Sequence, residues 1–340
     1  MGKQHKKRSQ EILVAIQEKK RISTEKPSPD GYYSVEVNLK HVFECDLLKL
    51  DLENKYLCSF PDEFFVFWKH VQIAVGKGNN PCHFFQHLKS LRLCGVFDYL
   101  AGHLKDADSK KCLLHDRYAT DLPEMQTLAV YDSGRFVYWR DEPNTKKPLI
   151  VHVKNEEHFP ECVIVGNEDP FYIVAYIIGN SLPVRFHNLF SKSWIENYAS
   201  YISNLRKITK SRKNNTVGSP FHGIGIFVKV NNNIRYRPLN EKKAKLKELI
   251  KNAATVSDET LNEWRIKKIM DFVTRVQFAN DEKDFGMGLE LGHNIFWSNY
   301  AYFDKLAQKL LVTAYELLNR EVFAYILKVH MPTRRDLPNY

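Results

Sequence analysis

At 340 residues, with 44% hydrophobic side chains, the chain has enough apolar material for a core, which excludes global disorder. Its longest apolar run, Phe171–Ile178, is far too short to cross a bilayer as a helix. The net charge of +10 is local: residues 1–26 sum to +5, Arg206, Lys207, Lys210, Arg212 and Lys213 add another +5, and the rest sums to zero. Two basic segments on a neutral body fit a nuclear-import signal or loose nucleic-acid contact better than a dedicated DNA-reading surface. A solvated helix face accounts for 203–214 equally well.

Residues 1–38 are basic, then rich in Ser and Pro, and are expected to be a disordered tail with at most a short helix near 10–20. Order begins near Val42. Ser59-Phe-Pro-Asp-Glu63 reads as a helix start, and Phe64, Phe67, Trp68 and Val71 then form one apolar face. Gly76–Pro81 is a loop, Leu91–Leu93 a short strand, and Val96–Leu100 the next apolar segment. Gln126–Tyr131 and Arg135–Trp139 flank Asp132-Ser133-Gly134, a hairpin signal. Leu149–Val153 and Cys162–Gly166 read as further strands, and Phe171–Ile178, after an Asp-Pro, as a buried helix or a strand, with helix preferred.

Trp194–Lys210 reads as a helix, Gly223–Val230 as a strand and Asn231–Asn233 as a turn. Beyond 240 the pattern is helical over Glu241–Ala253, Asp258–Val276, Tyr300–Leu318 and Glu321–Val329. Ser257 is the N-cap of the second, Phe303, Leu306, Leu310, Ala314 and Leu317 make a stripe on the third, and Pro332 stops the last. The fold class is therefore α+β: a mixed or antiparallel sheet flanked by helices over 39–190, then a mostly helical domain over 191–335.

Six cysteines occur without a Cys-x-x-Cys pair, so no zinc finger is expected, and reduced thiols of an intracellular protein are the natural reading. His83 and His87 lie four apart but lack the intervening Glu of a metalloprotease helix, so no metal ligand set is expected. Gly223-Ile-Gly225 fails the dinucleotide pattern because position 228 is Val. Asp284-Phe285-Gly286 spells the kinase magnesium triplet, but no His-Arg-Asp loop precedes it. Tyr236-Arg237 beside a turn has the composition of a docking hot spot; a surface Arg paired with a nearby acid would look the same.

The most informative stretch is Val276–Gly292. It places Asp281, Glu282 and Asp284 within four positions, followed by Gly286, Gly288 and Gly292. Acids in a Gly-rich turn are expected on an irregular loop, where crowded carboxylates are candidates for a general base or form a solvated acidic turn. Lys283 between the acids is placed to pair with Asp281 or Asp284.

This stretch closely resembles the signature of the histone PARylation factor family. Pro61–Trp68, Phe221-His-Gly-Ile-Gly225, Tyr236-Arg237 and Tyr302-Phe303-Asp304-Lys305 also resemble family segments, so the resemblance covers roughly 42–330. After Tyr-Arg the chain departs from the family's Glu-Leu-Pro, reading Pro238-Leu239-Asn240. The resemblance implies a nuclear factor at chromatin breaks, not an autonomous enzyme. Such a factor docks on the catalytic domain of a DNA-break-activated poly(ADP-ribose) polymerase and completes a shared active site for serine ADP-ribosylation of histones. It implies Glu282 as the catalytic base, and Asp281, Arg237, Tyr236 and Lys305 as partner-docking residues. It also implies NAD+ held by the polymerase, with no cofactor of the factor's own, and short ADP-ribose marks because the second protein obstructs elongation. A non-catalytic scaffold that recruits histones through the basic tail is the alternative. An autonomous hydrolase using Asp281 and Glu282 is a third reading, which lacks a nucleotide-binding loop.

Overall fold

The computed structural model describes residues 46–179, 200–229, 236–255 and 259–338. The basic tail with its short helix, the turn at 231–233, the Ser257 cap and the division at 190/191 lie outside the described residues. Asp51–Tyr340 form one compact unit.

Helix α1 spans Asp62–Val75 and opens on Pro61, with Asp62 and Glu63 in its first turn, where the positive helix end favours acids. It buries Phe64, Phe67, Trp68 and Val71, the expected face, and stops at Gly76 with φ +73. Strand β1 (Arg92–Leu93) is followed by helices α2 (Val96–Leu100) and α3 (Ser109–Leu114); the second was not anticipated. Then come β2 (Met125–Tyr131), β3 (Gly134–Trp139), β4 (Leu149–Lys154), β5 (Cys162–Gly166) and helix α4 (Phe171–Ile178). The sheet is an antiparallel meander in the order β1-β2-β3-β4-β5, with Val137 opposite Val151 and Met125 opposite Trp139.

Strand β3 is buried along its whole length, because both faces of the sheet are covered. Its alternation sends Phe136 and Tyr138 into a core with Phe64, Phe67 and Phe97. Val137 and Trp139 point into a second core, built with the C-terminal helices. Helix α5 (Tyr201–Asn215) comes first in this half, and the core is built with α6 (Lys243–Thr255), α7 (Glu259–Asp281), α8 (Gly286–Trp297), α9 (Asp304–Leu317) and α10 (Glu321–His330). Pro332 lies inside a 3-10 turn, Met331–Asp336, that continues directly from α10. No described helix is long and apolar enough to cross a membrane.

Two expectations about secondary structure fail. The segment expected as a strand over Gly223–Val230 is not one over its described residues, 223–229, whose one ladder contact there is the bridge Val217–Ile226. Side chains replace the missing ladder: Arg212 donates to the carbonyls of Ile224 (2.9 Å) and Gly225 (3.1 Å), and Arg320 to that of Phe227 (2.6 Å). Arg212 also pairs with Asp141, so the basic segment offers solvent only Arg206, Lys207, Lys210 and Lys213. The second failure is the Gly-rich motif, which folds as helix α8.

A buried polar chain ties the sheet to α8 and α9. His222 Nε2 lies 3.1 Å from His293 Nδ1, His293 Nε2 lies 3.1 Å from Glu124 Oε1, and the Tyr315 hydroxyl donates to Glu124 Oε2 at 2.8 Å. Burial drives the imidazoles of His222 and His330 well below their usual range, and that of His152 down to about 4. Their folded values are depressed, so their stabilisation is complete above the unfolded value of about 6.5 and is lost as pH falls below it. Asp169, raised to about 6 by burial, binds its proton in the folded state and opposes the trend. Each net proton taken up on unfolding costs about 1.4 kcal/mol per pH unit. The thermal midpoint should therefore fall from pH 6.5 to pH 5, less steeply in His152→Asn. A flat midpoint across that range would contradict the assignment of three neutral buried imidazoles.

Candidate functional site

The site is the junction between α7 and α8. Helix α7 ends at Asp281 in a Schellman arrangement: the Asp284 N–H donates to the Ala279 carbonyl (2.7 Å), and the Lys283 N–H to that of Asn280 (3.0 Å). Glu282 is the C-cap, and Lys283 takes the left-handed position, φ +64, where glycine is usual. The acids thus sit on a rigid helix end, and the irregular backbone is confined to 282–285.

The glycines serve packing. None of Gly286, Gly288 and Gly292 has positive φ, and all three lie in the fully buried α8. A Cβ on Gly286 would stand 2.9 Å from the Tyr236 ring, and one on Gly292 would stand 2.7 Å from Leu311. Small residues here let Tyr236 and α9 press against the α8 backbone.

Asp281 and Glu282 lie at the negative end of α7, where the helix dipole disfavours anions. Arg237 supplies the compensating charge. Its guanidinium pairs with Glu282 and lies 2.9 Å from Asp284 Oδ2, and the hydrogen bond to the Glu282 carboxylate makes Arg237 hold its proton more tightly than usual. Asp284 is buried, whereas the Glu282 side chain is 59% exposed. Arg237 is aimed by its neighbour: the Tyr236 hydroxyl donates to Glu290 Oε2 at 2.7 Å, and Glu290 Oε1 accepts the Ser219 N–H at 2.9 Å. Burial and the Glu290 carboxylate push the Tyr236 phenol upward, so it stays a neutral donor. Tyr236, Glu290 and Asn294 also line an open pocket of about 430 Å³ with Lys243 and Leu246.

The structure therefore gathers Tyr236, Arg237 and Glu282 into one cluster, with Asp281 exposed beside it. Lys305, in the first turn of α9, is exposed and has no ion pair among the described residues. Lys283 does not pair with the acids; Arg237 takes that role, brought from 45 residues away. Phe278, which lies inside the acidic motif and carries no chemistry of its own, is 60% exposed one turn before Glu282. Its signal was an aromatic off the buried stripe of Phe272, Val273, Val276 and Ala279.

The sequence model of the family described as Histone PARylation factor 1 matches residues 48–334. The chain is 32% identical to Histone PARylation factor 1 of Mus musculus over 332 residues, covering 91% of this chain and 94% of the relative. It is 32% identical to a Homo sapiens protein named Putative histone PARylation factor 1-like, over 90% of this chain and 93% of that protein. Histone PARylation factor 1 of Danio rerio is 30% identical, over 84% and 86%.

Proposed function

The chain belongs to the histone PARylation factor 1 family, and on that premise we propose that it docks on the catalytic domain of a break-activated poly(ADP-ribose) polymerase. There Glu282 acts as the general base for ADP-ribosylation of serine on histones. The observation that carries this reading is the exposed Glu282 carboxylate, fixed at a helix end between an exposed aromatic, Phe278, and an arginine. A serine hydroxyl is a weak nucleophile until its proton is taken during attack. In the composite site its oxygen bonds to the anomeric carbon of the NAD+ ribose, and the bond to nicotinamide breaks with its electron pair. Glu282 accepts the proton.

The polymerase supplies NAD+. Arg237, Tyr236, Asp281 and Lys305 are assigned to the docking face, with Tyr236 acting through Arg237. Arg237 engaged by a partner carboxylate would also leave Glu282 free to accept a proton. A second protein at the acceptor side obstructs elongation, so short marks are expected, made in the nucleus at chromatin breaks.

The test is a reconstitution of polymerase, broken DNA, NAD+ and a histone H3 tail peptide, with and without this protein. Hydroxylamine-resistant, serine-linked ADP-ribose should form only with it; equal serine modification without it would overturn the reading. Arg237→Ala should weaken polymerase binding about 30-fold or more, the scale of an interface hot spot, measured by calorimetry. Unchanged binding with increased modification would mean that Arg237 merely masks Glu282.

A further inference from the structure

We propose that Asp98, His115 and Asp116 form a binding site for a divalent transition-metal ion, with zinc as the first candidate. The site is separate in sequence from the α7–α8 junction and does not depend on the function proposed above.

The three side chains come from different places. Asp98 lies in α2 and is buried, His115 caps the C-terminus of α3, and Asp116 follows with φ +52. Their donor atoms all lie within 4.8 Å of one another. His115 Nε2 stands 3.0 Å from Asp98 Oδ2 and 3.1 Å from Asp116 Oδ2. Donors bonded to zinc at about 2.0–2.2 Å stand roughly 3.0–3.5 Å apart along the edge of a coordination polyhedron. One imidazole N–H cannot point fully at both oxygens, whereas a metal ion accepts all three donors at once. One imidazole nitrogen with two carboxylate oxygens suits zinc and its neighbours better than calcium or magnesium. Three protein ligands leave a fourth position for water or for His103, whose Nδ1 is 3.3 Å from the other oxygen of Asp98 and whose side chain is half exposed.

The frame around these donors is fixed. The Gly95 N–H donates to Asp116 Oδ2 at 2.8 Å. Gly95 has φ +63, and a Cβ there would fall 2.4 Å from the Thr127 carbonyl oxygen, so the chain reaches the site only through glycine. The competing occupant is Arg92. Its guanidinium approaches Asp98 Oδ2 at 3.3 Å and Asp116 Oδ1 at 3.5 Å. These contacts are long for charge-assisted hydrogen bonds, and the side chain is 32% exposed, with room to turn outward when a dication enters.

The experiment uses the full chain, stripped with a chelator and titrated with Zn²⁺ alone against a competing indicator. Wild type should hold one equivalent that is absent from His115→Gln and at least about tenfold weaker in Asp116→Asn, on the scale of a damaged ligand sphere. Arg92→Gln removes the rival cation and should bind several-fold more tightly. It serves as a second variant if a ligand substitution unfolds the chain, as judged by circular dichroism. Failure of wild type to bind zinc, binding unchanged in both ligand variants, or no tightening in Arg92→Gln would overturn the proposal and leave an ion-pair cluster only.

Discussion

Glu282→Gln should retain polymerase binding and lose serine modification by about 10²–10⁴-fold, the usual contribution of a general base. Glutamine keeps the shape, and its amide oxygen can still accept from Arg237, so the docking face should change little. It cannot take the serine proton. The Schellman turn should also survive, because it rests on the backbone of Ala279, Asn280, Lys283 and Asp284, and Glu282 is exposed. A reconstitution with both proteins checks this, scoring binding and serine-linked ADP-ribose separately. Full modification with Glu282→Gln would discard the base and leave a scaffold that recruits histones. Loss of binding together with activity would move Glu282 into the docking surface.

Asp121→Ala should cost about 3–5 kcal/mol of stability, because it strands a buried guanidinium. Arg135 is fully buried in β3 and donates to Asp121 Oδ1 at 2.7 Å and Thr120 Oγ1 at 2.8 Å. The other Asp121 oxygen accepts from the Tyr118 N–H and the Thr127 hydroxyl. Arg135 also lies 4.2 Å from the Tyr118 ring. The pair sits under the central strand of the sheet, so unfolding should remain cooperative while the urea midpoint falls. The double variant Asp121→Leu with Arg135→Met removes both charges and should recover much of the loss, as buried pairs replaced by apolar residues generally do. A loss below about 1 kcal/mol for Asp121→Ala would mean that water reaches the guanidinium.

The sequence by itself determined the five strands of the sheet and most helices, because their signals are local. Alternation across Asp132-Ser133-Gly134 marked β2 and β3, Cys162–Gly166 marked β5, and the spacing of Phe64, Phe67, Trp68 and Val71 marked α1. The motif at 276–292 likewise marked the family. Tertiary structure decided what those residues do. Gly286, Gly288 and Gly292 look like loop formers until Tyr236, Val276 and Leu311 are packed against them. The apolar run at 223–230 looks like a strand until Arg212 and Arg320 arrive to satisfy its carbonyls. The Arg237–Glu282 pair and the Asp98–His115–Asp116 cluster join residues from separate elements. Spacing rules register neighbours along one helix or strand, whereas these contacts exist only after the chain pays its conformational entropy and closes the intervening loops.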